Sequence, residues 1–244
     1  MKQFLFILFL FNTTIYISQI RNGIVNYKYK IEDEYIPKEK FKKEKNQKLK
    51  INLNFINESL KNNQNKLIFT LKFNKHSSEY SMNKIIEVDI DKQLKYAIIV
   101  NRGKQVYYNS LNEKIIIYQT QTWGDQFNVV TNFEELNWEL KRETKKIGEY
   151  NCFKAILIRN DRIVEAWYTP QVNLRYGPKN YGGLPGLILE LKENNITYYV
   201  SKLSFNLKKD IDINIPEKNK RISQEDYNRM RKKIKQKLYN RLKN

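Results

Sequence analysis

Apolar and polar positions alternate along much of this chain, and a period of two predicts strands that bury one face. In RNGIVNYKYKIEDEY, residues 21–35, polar neighbours separate Tyr27, Tyr29 and Ile31, which predicts an opening strand. KLIFTLKF (66–73) repeats the pattern, with Leu67, Phe69 and Leu71 set against Ile68, Thr70 and Lys72. Residues 74–83 are mostly polar and read as a gap between strands. KYAIIVNRGKQVYYNS (95–110) reads as a strand, an Asn-Arg-Gly turn and a second strand, because glycine tolerates the positive φ of a hairpin turn. KIIIYQTQ (114–121) continues the sheet.

The clearest meander is NWELKRETKKIGEYNCFKAILIRNDRIVEAWYTP, residues 137–170. Trp138 and Leu140 are expected to share one face of a short strand, with a turn at IGEY. A strand over 151–159, a turn at 160–162 and a strand ending before Pro170 complete it. LILEL (187–191), a Lys-Glu-Asn-Asn turn and ITYYVSKLSFNL (196–207) predict another hairpin. Between these units lies GPKNYGGLPG. Gly177, Pro178, Gly182, Gly183, Pro185 and Gly186 are expected to form a structural turn, with Pro185-Gly186 as a type II turn. The glycines lead into a β-type run rather than a helix, so the stretch does not suit a phosphate cradle. It also lacks the Lys-Ser or Lys-Thr of a nucleotide loop and the serine of a nucleophile elbow.

Helical character is confined to few places. A short helix is possible over 51–60, and the charged stretch 37–50 reads as a solvated helix or a loose insertion. At the C-terminus, Ser223 with Asp226 fits a helix N-cap. Tyr227, Met230, Ile234, Leu238 and Leu242 then form one amphipathic stripe. Eight lysines or arginines from Arg229 through Lys243 suit the C-terminal end of a helix dipole. The same charges suit an anionic membrane surface. The expected fold class is α+β, mostly antiparallel β, with a curved sheet and packed helices.

Composition narrows the compartment more than the chemistry. Residues 1–18 read MKQFLFILFLFNTTIYIS, a lysine followed by an apolar core, which is the layout of a signal peptide. Cleavage is expected between Ser18 and Gln19, with a retained anchor as the alternative. The expected division is therefore a leader over 1–18, one β-rich domain over 19–222 and a basic helix over 223–244. Export makes nucleic acid a poor partner despite the net charge of +19, since the 45 lysines and arginines are spread along the chain. With one histidine and one cysteine there is no zinc constellation, and no cofactor is expected. His76 reads as a surface residue and Cys152 as a small buried side chain.

Around the glycine-rich stretch the sequence resembles the GLPGLI family of exported proteins. The signature runs from Gly183 to Ile188. Trp138 and Leu140, IGEYNCFKA (147–155), AWYTP (166–170) and Gly177-Pro178 precede it in the family's order. The chain departs from that pattern at Val172-Asn173, where the family has Ile-Pro. The resemblance implies an exported protein without assigned catalytic residues, periplasmic or associated with the outer membrane. It also implies a layout similar to the lipoprotein-carrier (LolA-like) fold, whose curved sheet can enclose an apolar groove.

Three functions are expected in descending order. The first is non-catalytic binding of a lipid or hydrophobic peptide. The second is a structural or assembly role with an envelope protein partner. The third is a hydrolase, for which Asp161, Glu165 and Glu190 are carboxylates that nothing in the sequence pairs. A ligand site is expected at Trp167, Tyr168, Arg175, Tyr176 and Tyr181, where rings and an arginine can hold an apolar group with a polar head.

Overall fold

The computed structural model describes residues 20–37, 39, 46–85, 90–122, 124–159, 162–217 and 221–243. The expected leader, Asp161 and much of the charged stretch 37–50 lie outside these residues. The strands are β1 (Gly23–Ile31), β2 (Phe69–Phe73), β3 (Ser77–Met82), β4 (Val106–Ser110), β5 (Ile115–Thr122), β6 (Asp125–Asn132), β7 (Glu139–Ile147), β8 (Tyr150–Arg159), β9 (Arg162–Thr169), β10 (Leu187–Glu193), β11 (Ile196–Phe205) and β12 (Arg221–Ser223). The helices are α1 (Gln47–Asn63), α2 (Lys92–Val100) and α3 (Gln224–Lys243), with a 3-10 turn at Phe133–Glu135. All twelve strands join one open sheet, ordered β12-β6-β5-β4-β3-β2-β1-β11-β10-β9-β8-β7. Every pairing is antiparallel except that of β12 with β6. Among the described residues no helix is long and apolar enough to cross a membrane.

Alternation places the core as expected. Val25, Tyr27 and Tyr29 of β1 are fully buried on one face, and Phe69, Leu71 and Phe73 of β2 pack beside them. Tyrosine solves a problem in so thick a layer, since its ring is apolar but its hydroxyl needs a partner. The Tyr27 hydroxyl donates to the Ile188 carbonyl at 2.7 Å, and that of Tyr29 to the Leu60 carbonyl at 2.9 Å, fixing α1 to the sheet. The Tyr198 hydroxyl donates to Asn101 Oδ1 at 2.8 Å and holds the end of α2. A row of rings crosses the sheet from Phe69 through Tyr80, Tyr107 and Tyr118 to Tyr227 of α3, with centroids 5.7 to 6.2 Å apart.

The hairpins over 137–207 and the cap of α3 follow the pattern of the sequence. The Asp226 amide donates to Ser223 Oγ at 3.0 Å, and Tyr227 is buried against the sheet. Other elements differ. The run at 95–100 is helix α2, not a strand. Asp91 caps it by accepting from the Leu94 amide at 2.7 Å, and Leu94, Ala97 and Ile98 are buried at helical spacing. The polar gap at 74–83 contains β3, whose serines pack where bulk is not needed, while His76 stays exposed in the preceding turn. α1 is longer than the short helix expected. Trp138 and Leu140 do not share a buried face: Trp138 precedes β7, and Leu140 on that edge strand is 54% exposed. The edge is instead lined by lysines and glutamates, which discourage pairing with another sheet. The expected lipoprotein-carrier layout fails too. Rings fill the sheet's packed face, and the cavity beside them is polar rather than an apolar groove.

Two tyrosines test the role of the hydroxyls. Tyr27→Phe leaves the Ile188 carbonyl without its partner and is expected to cost about 1–3 kcal/mol. The Tyr80 hydroxyl is buried with no partner among the described residues, so Tyr80→Phe is expected to be neutral or stabilising. Urea denaturation of both variants measures the difference, and equal losses would refute this account.

Candidate functional site

The sheet curves far enough for strands near its two ends to face one cavity of about 560 Å³. One side is formed by Tyr118 of β5, Thr131 of β6 and Glu135 of the 3-10 turn. The other is formed by Arg159 and Arg162 at the β8–β9 hairpin, Val164 of β9 and Glu193 at the end of β10. Arg102 and Gln105 enter from the turn after α2, and Asn180 and Tyr181 from the glycine-rich loop. Gln224, Tyr227, Asn228 and Arg231 of α3 close it. Among the described residues of this lining, Val164 alone lacks a polar side-chain atom.

Arg102 arrives by an uncommon route. α2 ends in a Schellman arrangement, with the Arg102 amide donating to the Ile99 carbonyl at 3.0 Å and the Gly103 amide to the Ile98 carbonyl at 2.8 Å. The left-handed position in this motif usually holds glycine, but here it is Arg102, at φ +56°. The sequence reading gave the positive φ to Gly103. That glycine instead allows close packing, since a Cβ there would lie 2.5 Å from the Met82 sulfur. The residue as a whole is open to solvent, while its guanidinium end is partly withdrawn from water. That desolvation opposes its charge, but Tyr107 and Glu193 outweigh it and push the pKa up.

Glu193 anchors the opposite wall. It shares a face with Leu189 and Leu191 at the end of an apolar stripe, and its side chain is only 12% exposed. Lys179 Nζ lies 2.9 Å from Glu193 Oε2, and the Tyr181 hydroxyl donates to Oε1 at 3.1 Å. Burial alone would raise the pKa of Glu193. Lys179, Arg102 and the hydrogen bonds overcome that and hold it at about 2. Lys179 is itself buried, in a left-handed backbone conformation, with Nζ 4.1 Å from the centre of the Tyr198 ring. The glycine-rich loop is therefore the wall that carries the cation for a buried carboxylate.

The five residues expected to form a ligand site do not converge. Tyr181 lines the cavity. Trp167 lies on the other face of β9, where its indole N–H donates to Glu165 and Lys145 Nζ sits 4.3 Å from its ring centre. Tyr168 is buried beside Phe153, and Tyr176 is buried with its hydroxyl donating to the Asn74 carbonyl at 3.2 Å. Arg175 is exposed, and its Nε donates to the Gly183 carbonyl at 3.0 Å. Glu165 and Glu190 lie on the Trp167 face, paired with Lys154 at 3.0 Å and Lys145 at 2.6 Å. Cys152 is buried, and desolvation pushes its pKa up to about 11, so it is no thiolate nucleophile.

The turn residues hold the loop differently from expectation. Gly183 takes φ +83°, and its amide donates to the Arg175 carbonyl at 3.0 Å. Pro178 accepts from the Tyr181 amide at 3.3 Å, while Gly177 and Gly182 lie against backbone carbonyls of Tyr181 and Arg175. Pro185-Gly186 is not a type II turn. The Gly186 amide donates to the Leu184 carbonyl, closing a three-residue turn around Pro185. Glycine is required at 186 because a Cβ would lie 2.1 Å from the Thr169 carbonyl oxygen.

The fold and the site define a class when set beside known proteins. The family model described as the N-terminal domain of N-glycanase peptide matches residues 40–230, and the chain belongs to that family. Solved structures of PNGF-II share the fold at 15% identity. The P21 crystal form gives a TM-score of 0.53 over 86% of this chain and 33% of that one. The C2 form gives 0.51 over 78% and 28%. This chain thus spans a third or less of those chains. No protein of curated function matches the sequence. These findings overturn the assignment to the GLPGLI family and the lipoprotein-carrier fold. They also overturn the reading of a non-catalytic lipid-binding or assembly protein.

Two predictions follow from the walls of the cavity. Arg102→Gly and Arg102→Ala remove the same guanidinium, but only glycine suits φ +56°, so the glycine variant is expected to be more stable by about 1 kcal/mol. Thermal melts of the two variants decide it. Glu193, ionised at about 2 in the folded chain against 4.5 unperturbed, contributes stability that is complete above the unperturbed value. That stability, about 3 kcal/mol, is lost as pH falls from 4.5 through 2. Glu193→Gln is expected to flatten the pH dependence of the unfolding free energy across that window.

Proposed function

We propose that this chain serves an N-glycanase-type hydrolysis of glycans carried on peptides, with the arginine-lined cavity holding the glycan. The observation that carries this reading is the lining, which brings side-chain donors and acceptors to both walls of the cavity and to α3. A sugar presents hydroxyls around its whole edge, so its site needs many such donors and acceptors. An acyl chain would leave these polar groups desolvated and unmatched. The family's description names glycans, and the PNGF-II likeness in fold supports the same class. The leader-like N-terminus fits an exported site of action, in the periplasm or at the outer membrane.

Hydrolysis of a glycan–asparagine amide needs a group that accepts a proton from water and a positive field at the carbonyl oxygen. Glu135, an exposed carboxylate at the rim of the cavity, takes the first role. Arg102 takes the second, held by Tyr107 and Glu193. Glu193 is too weak a base at a pKa of about 2 and serves to position Arg102 and Tyr181. The test incubates the purified chain with an N-glycosylated peptide and follows release of the glycan by mass spectrometry. Release by the native chain, slowed about 100-fold or more in Glu135→Gln, is the expected result. A glycopeptide that stays intact overturns hydrolysis by this chain. Absence of measurable binding overturns the glycan site as well.

A further inference from the structure

We infer that the glycan taken by this cavity is acidic, bearing a carboxylate, sulfate or phosphate that the arginines receive. The inference rests on the glycan reading above and adds the charge of the substrate. Among the described residues, four arginines line the cavity against two carboxylates. Glu193 is already met by Lys179 and Tyr181, and Glu135 accepts from the backbone amide and Nδ2 of Asn132 at 3.1 and 3.0 Å. Among the described residues none of the four arginines lies within ion-pair distance of a carboxylate, although Arg102 feels the charge of Glu193, and the Arg162 side chain has no hydrogen-bond partner.

The placement of two of them is the stronger argument. Arg159 and Arg162 are direct cross-strand partners in the β8–β9 ladder. Like charges in that position repel and destabilise the hairpin. Arg159 is partly occupied, since the Asn180 amide oxygen, in the orientation that satisfies its neighbours, lies 2.7 Å from Arg159 Nη1, and the Tyr181 ring lies 6.0 Å away. Among the described residues the Arg162 side chain is left unmatched beside it. An oxyanion in the cavity relieves the repulsion and accepts from a planar guanidinium fork, a geometry suited to carboxylate, sulfate and phosphate. A separate observation points the same way. Thr131 is 2% exposed and lines the cavity, yet its hydroxyl has no partner among the described residues. It belongs to the β5–β6 wall of the same cavity.

The test is calorimetric titration of the full chain with matched N-glycopeptides that are neutral, sialylated, or sulfated or phosphorylated. An acidic form is expected to bind at least about tenfold tighter than the neutral one, as for one charge-assisted hydrogen bond, with the gain shrinking as salt rises. Preference for the sialylated form identifies a carboxylate, and preference for the esterified form identifies sulfate or phosphate. In Arg159→Gln/Arg162→Gln the ratio of acidic to neutral affinity is expected to fall toward one. Without ligand, Arg162→Gln should melt no lower than the native chain, because the repelling pair is gone while Arg159 keeps its contact with Asn180. Arg162→Gln alone provides the same readout with less change to the hairpin. Equal binding of neutral and acidic glycopeptides overturns the acidic inference and leaves the glycan reading standing. Failure of every glycopeptide to bind overturns both.

Discussion

A carboxylate taken out of water must either lose its charge or be surrounded by groups that hold it, and Glu193 is held. Much of the site depends on that one requirement. Lys179 supplies the opposing charge, and to reach Glu193 it sits in a left-handed backbone conformation inside the glycine-rich loop. The loop must therefore dock tightly, which explains the glycine at 186 against the Thr169 carbonyl. The ring of Tyr198 lies against the Lys179 ammonium, and the Tyr198 hydroxyl binds Asn101, the residue before Arg102. One buried ion pair thus ties together β10, β11, the loop and the end of α2. Removal of either partner would leave the other charge buried alone, which is far worse than having neither.

The aromatic core sets the boundary of this polar region. A row of rings in stacked, edge and tilted contact from Phe69 to Tyr118 fills the middle of the sheet. At the end of the row Tyr118 and Tyr227 become part of the cavity wall. Tyr107 lies just behind, its pKa pushed up to about 12 by burial despite Arg102 and Lys179 nearby. It stays neutral, its hydroxyl donating to Gln105 Oε1, with the Arg102 charge close by. Tyrosine is abundant here because it serves as core on one side and as a polar surface on the other.

The elements legible in the sequence were those whose order is local. The β8–β9 and β10–β11 hairpins follow a two-residue alternation broken by turn residues, and α3 carries its cap in Ser223 and Asp226. Helix α2 was hidden because KYAIIV is rich in strand formers, and its burial at Leu94, Ala97 and Ile98 depends on packing. Within the site, Tyr181 was legible, but its proposed companion Trp167 was misplaced by the same alternation. Val164, Ala166 and Tyr168 share one face of β9, so Trp167 lies on the other. Glu193 looked like part of a polar turn, although its parity with Leu189 and Leu191 places it on the buried face. Arg102 and Glu193 meet only through tertiary structure, and no local pattern reports that. The GLPG turn misled for a related reason. Its glycines answer to close backbone approaches, and such a local requirement is weaker evidence of kinship than a match over residues 40–230.

The conformation of Arg102 argues most directly that this cavity is functional. A Schellman turn gains nothing from arginine at its left-handed position, where glycine would avoid the strain. The side chain delivered there borders a cavity with few apolar contacts to repay the strain through packing. The Arg159–Arg162 pair has the same character, with like charges set opposite one another where a neutral residue would be easier to fold. Lys179 adds a third case, a left-handed residue that is also buried and charged. Arg102, Arg159 and Arg162 line one cavity, and Lys179, outside that lining, holds the Glu193 that faces it, so a shared site accounts for these departures together.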